Sequence, residues 1–115
     1  MILHTRLLFF AAGLTVSQRL ILLHPDHAGD AALLAHERTH QAQMKRVGGA
    51  LGFWYAYLRY KSFRQKAEVE AYQVQISHGA KRSSCARYLA ENYWLHIDYA
   101  TAYALLKDYH GNSEI

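Results

Sequence analysis

The sequence predicts an α+β fold: a small N-terminal antiparallel sheet packed on one long helix, followed by several further helices. Three observations carry this. Strand-favouring apolar residues crowd the first 23 positions. Stretches free of Gly and Pro, with helical periodicity, fill 31–47 and 64–78. A chain of 115 residues, 51% hydrophobic and 19% charged, has enough apolar material for one packed core and is read as a single domain spanning 1–115.

Ile2 to Phe10 and Leu14 to Leu23 flank Ala11-Ala12-Gly13, which reads as a turn between strands. Thr15, Val16 and the run Leu20 to Leu23 favour extended backbone. Leu7 to Val16 follows Arg6 and has the outline of a short signal peptide. It lacks a small-x-small cleavage site, and it is shorter than the about twenty apolar residues that span a bilayer. The expectation is a cytoplasmic protein with no membrane partner, export being the alternative if the apolar start is a signal.

The first long helix is predicted over Ala31 to Val47, with Asp30 as N-cap and Asp26 as a second candidate cap after Pro25. Lys45 and Arg46 fall in its last turn, where cations suit the helix dipole, and Gly48-Gly49 ends it. At about 100° per residue, Leu33, His36, Glu37, His40, Gln43, Met44 and Val47 share one arc, opposite Arg38, Gln41, Lys45 and Arg46. Phe53 to Tyr60 is apolar or aromatic nearly all round and reads as a helix packed in the core; a membrane or partner patch is the sharper alternative. Arg64 to His78 is the second amphipathic helix. Its apolar arc gathers Ala67, Val69, Ala71, Tyr72, Val74 and Ile76, with Glu68 in the middle and Gln75 beside it. Glu70 points nearly the opposite way, with Lys66, Gln73 and Ser77. Ser83 or Ser84 is read as capping a helix through Asn92, and Asp98 one from Tyr99 to about Tyr109.

The chemistry sits in His36-Glu37-Arg38-Thr39-His40. Two histidines four apart on a helix face the same way, so their rings can converge on one metal ion, and the glutamate between them can reach a metal-bound water. The alternative is two core histidines on an amphipathic helix, but that arc would also bury the carboxylate of Glu37. A third ligand is expected at Glu68, a carboxylate aimed at the core and in need of a positive partner. Its alternative is an ion pair with Arg64, one turn earlier. Two imidazoles and one carboxylate suit Zn2+, one ion per chain, with the fourth position left for water.

H-E-x-x-H followed by Glu68-Val69-Glu70-Ala71 resembles the gluzincin class of zinc metallopeptidases. It is most similar to small stand-alone zincin-like domains of bacteria and their phages, which often carry a glutamine three places after the second histidine, as Gln43 is here. The resemblance covers roughly 30–76. It implies His36, His40 and Glu68 as zinc ligands and Glu37 as general base, acting on a peptide or protein substrate laid against an edge strand. Many members carry Asp just after the alanine, where this chain has Tyr72. The rival expectations are a zincin-like binding module without turnover and an envelope or lysis factor acting on peptidoglycan peptides.

Other features narrow the field. The net charge of +4 is spread out, with a small cluster at Arg59, Lys61, Arg64 and Lys66 that lacks the interleaving of a nucleic-acid reader. Cys85 stands alone, which excludes an internal disulfide and a cysteine-based zinc site. His78, His96 and His110 have no partner at ligand spacing. Tyr60, Tyr72 or Tyr88 could offer a hydroxyl to a reacting carbonyl, and nothing in the sequence chooses among them.

Overall fold

The structure is a computed structural model, and it describes residues 1–5 and 12–107. The architecture is α+β. Strands β1 (Ile2–His4), β2 (Gly13–Ser17) and β3 (Leu20–Leu23) form a three-stranded sheet, and a 3-10 turn at Pro25–His27 leads into five helices. These are α1 (Ala31–Arg46), α2 (Ala50–Arg59), α3 (Lys61–Ser77), α4 (Arg82–Asn92) and α5 (Tyr99–Leu105). Among the described residues, no helix is long and apolar enough to cross a membrane.

The sheet departs from the antiparallel expectation. β3 lies in the centre, antiparallel to β2 and parallel to β1. The stretch read as one strand, Leu14 to Leu23, folds back on itself at Gln18-Arg19 and gives both β2 and β3. Leu20-Ile21-Leu22-Leu23 is the most apolar of the three segments, and a strand covered on both edges is the place for such a run. Ile21 and Leu23 are fully buried and pack with Leu33 of α1. Residues 6–10 of the first predicted strand and Ala11 of the predicted turn lie outside the described residues, while Ala12 is a bend and Gly13 itself belongs to β2.

Helix α1 begins where the sequence places it. The Asp30 side chain accepts from the Leu33 N–H, satisfying one orphan donor of the first turn. Pro25 and Asp26 instead open the 3-10 turn, capped by the His24 ring. Gly48 (φ 94°) and Gly49 (φ 141°) end α1 with backbone that side chains with a Cβ rarely adopt, turning the chain into α2. The inward arc of α1 is buried except for Val47, which is exposed.

Helix α2 corrects a second expectation. Only Phe53 and Tyr57 are buried, against Met44 and Ala67, while Leu51, Tyr55 and Leu58 face outward. One neighbouring helix pair covers one stripe, whatever the composition of the rest. Helix α3 starts three residues before Arg64, and Arg64 ties three segments together by donating to the backbone carbonyls of Tyr57, Tyr93 and Trp94. Helices α4 and α5 close a second core around Leu89, Leu95, Ala102 and Leu106. Lys81, not a serine, is the N-cap of α4; Asp98 caps α5 through the Thr101 N–H, and α5 ends at Leu105.

Candidate metal centre

Helix α1 places His36 and His40 on one face, their rings edge to face with centroids 4.9 Å apart. Helix α3 packs along α1 and brings Glu68 opposite both. Its Oε1 lies 3.2 Å from His36 Nε2, and its Oε2 lies 3.3 Å from His40 Nε2. All three residues are buried, with donor atoms within 4.8 Å of one another, and together they could hold a metal ion. Each histidine faces its own oxygen of Glu68, at separations close to the about 3.3–3.4 Å between donors bonded at about 2.0–2.1 Å to a tetrahedral ion. Among the described residues Glu68 Oε1 is also buried with no hydrogen-bond partner. An unsatisfied carboxylate oxygen inside a protein is costly, and a cation among the three donors would satisfy it. The residues fit the ion.

The surroundings of the three differ. Tyr57, from α2, donates its hydroxyl to Glu68 Oε2. Burial, together with the charge of Glu68, holds the Tyr57 hydroxyl far above its ordinary value, so it stays a neutral donor. Arg64, the alternative partner of Glu68, spends its guanidinium on backbone carbonyls instead. His40 Nδ1 lies 2.8 Å from Gln43 Oε1. Among the described residues His36 Nδ1 is buried without a hydrogen-bond partner, and the Tyr72 ring packs on this histidine, 4.4 Å away centroid to centroid.

Glu37 is held from the sheet. The Thr15 hydroxyl lies 2.7 Å from Glu37 Oε1 and 2.8 Å from the Glu37 carbonyl oxygen. Gly13, two residues earlier on the same strand, leaves the space that the carboxylate fills: a Cβ there would stand 3.0 Å from Glu37 Oε2 and 3.1 Å from Leu23 Cδ2. Gly13→Ala is therefore expected to lower stability by about 1 kcal/mol and to displace Glu37, because contacts of 3.0–3.1 Å are closer than a Cβ ordinarily makes. Thermal melting of the variant, with metal content measured alongside, checks this; an unchanged melting temperature would show that the strand yields instead.

Electrostatics couple the site to pH. Burial by itself would lower the pKa of His40, but the charge of Glu68 and its contact overcome this and raise His40 to about 9. The same pairing holds Glu68 well below its ordinary 4.5, against the effect of burial. A raised histidine stabilises the metal-free fold fully below its unfolded value of 6.5, and loses that contribution as pH rises through about 9. A depressed carboxyl contributes above 4.5 and loses its contribution as pH falls. A metal ion must displace the His40 proton. Its apparent affinity is thus expected to rise by about tenfold per pH unit between 7 and 9, then to level off. Chelator competition at several pH values measures this slope, and a flat profile would refute the displacement.

Among the other named residues, Tyr72 meets the site through its ring. Tyr60 and Tyr88 are exposed, and the Tyr72 hydroxyl is bonded to that of Tyr93. His78 is exposed and bonds back to the Val74 carbonyl, and His110 lies outside the described residues. Tyr57, Thr15 and Gly13 were not legible as site residues, since each meets its partner through tertiary packing across 11 to 24 positions of chain. Comparison with protein-family models, with curated proteins and with solved structures finds no match to this chain.

Proposed function

We propose that the chain is a zinc-dependent peptide hydrolase in which His36, His40 and Glu68 hold the ion and Glu37 is the general base. The observation that carries the reading is the convergence of two Nε2 atoms and a buried carboxylate at ligand spacing, with a further glutamate fixed one position along the same helix. Zinc in such a donor set, when bound, makes water nucleophilic near neutral pH and polarises a carbonyl. Glu37 would accept the proton released in the attack at its carboxylate and deliver it to the departing amine. Thr15 holds that carboxylate in place, and Tyr57 keeps Glu68 oriented. Peptide recognition by backbone pairing has a natural place at β2, which is an edge strand. The Val16 and Ser17 carbonyls already accept from Trp54 and Gln41, so Gly13 to Thr15, beside Glu37, is the stretch suited to a substrate.

One observation favours a second reading, a zinc-stabilised binding module. His36, Glu37, His40 and Glu68 are only 4, 5, 7 and 3% exposed, which fits an ion held for structure as well as one used for turnover. Zinc content and cleavage of a denatured protein, measured together on the wild type and on Glu37→Gln, separate the two. Hydrolysis that needs zinc and Glu37 supports the enzyme. Full zinc occupancy without any cleavage supports the module.

A further inference from the structure

We propose that Gln43, Glu70 and Arg46 are positioning residues that fix His40 as a metal ligand, a support that His36 lacks. The inference rests on the metal-binding reading above and deepens it.

The Gln43 side chain is read from its partners. One end lies 3.0 Å from the Ala67 carbonyl oxygen and 2.8 Å from Glu70 Oε1, both acceptors. That end must be the NH2 group, which leaves the amide oxygen facing His40 Nδ1. The His40 proton therefore sits on Nδ1, and Nε2 presents its lone pair toward Glu68 whenever the ring is neutral. Glu70 is held in turn by Arg46 Nη2, which donates to the same Oε1 at 2.6 Å. The connected path runs Arg46, Glu70, Gln43, His40. It begins in solvent and ends on a buried ring.

Glu70 thus has a use that its polar-arc position conceals. It is half-exposed, and it anchors the amide that orients a ligand. The two histidines are not equivalent: Gln43 sets the tautomer and rotation of His40, while the Nδ1 of His36 has no hydrogen-bond partner among the described residues. Tyr72 meets His36 through its ring, and the hydrogen-bonded support lies at His40. Outer partners of this kind raise ligand basicity and fix ring orientation.

The test measures zinc affinity by chelator competition on the full chain. It compares the wild type with Gln43→Leu, Gln43→Glu and the double variant Gln43→Glu with Glu70→Gln. Metal-free melting is followed in parallel, and 15N NMR of the zinc-loaded histidines reads the Nδ1–H of His40. Gln43→Leu is expected to weaken zinc binding by about 10–100-fold. Gln43→Glu alone sets two carboxylates side by side and recovers little. The double variant removes the carboxylate pair and keeps an acceptor facing His40 Nδ1, but it still sets an oxygen against the Ala67 carbonyl, so it is expected to bind zinc more tightly than Gln43→Leu while recovering only part of the loss.

A merely structural tie between α1 and α3 would make affinity follow melting temperature and would leave the double variant no better than Gln43→Leu. That result overturns the proposal, as does wild-type affinity in a folded Gln43→Leu. Should Gln43→Leu fail to fold, the gain from Gln43→Glu to the double variant decides the matter. If the wild type takes up no zinc, the metal-binding reading fails and the proposal falls with it. If the wild type binds zinc and the variants match it, the positioning proposal alone is refuted.

Discussion

Glu37→Gln is expected to take up one zinc ion per chain as the wild type does, while cleaving a denatured protein about 10²–10⁴-fold more slowly. The substitution keeps the shape and removes the basicity. The amide oxygen of the new side chain can still accept from Thr15, and the space left by Gly13 accommodates an amide as well as a carboxylate. Among the described residues, none of His36, His40 and Glu68 touches the altered side chain through a hydrogen bond, so a bound ion should stay. Equal cleavage by variant and wild type would remove Glu37 from the reaction.

Glu68→Gln should be the most damaging change for metal binding. It replaces the anion that faces both ring nitrogens with a neutral group, at a position 3% exposed where water cannot compensate. Its effect is expected to exceed the about 10–100-fold cost of losing an outer partner. Glu70→Gln retains an oxygen able to accept from Gln43 and is expected to weaken binding by less than about tenfold. Zinc affinities of the two variants measured side by side check the order, and equal losses would mean that Glu68 is not a ligand. Metal-free Glu68→Gln carries a second signature: without the carboxylate charge, burial governs His40, and its pKa should fall from about 9.

Much of the site's first layer can be read from helical periodicity. The spacing of His36 and His40, the cap at Asp30 and the inward direction of Glu68 are properties of single helices, and a wheel reports which face a residue takes. A wheel does not report what lies across that face. That is why Thr15, Tyr57 and the use of Glu70 emerge only when β2, α2 and α3 are seen against α1. The sheet order was hidden for a similar reason. Strand propensity marks extended segments but does not say that β3 lies between its two predecessors. The aromatic run at Phe53 to Tyr60 misled in the other direction, since composition alone could not show that Tyr55 and Leu58 face outward.

The near-complete burial of His36, His40 and Glu68 also has a kinetic side. On the binding-module reading, an ion enclosed this way exchanges only when α1 and α3 part locally, so its residence time would follow the breathing of that helix pair more than the strength of its bonds. A strong chelator in large excess would then strip the protein at a rate independent of chelator concentration.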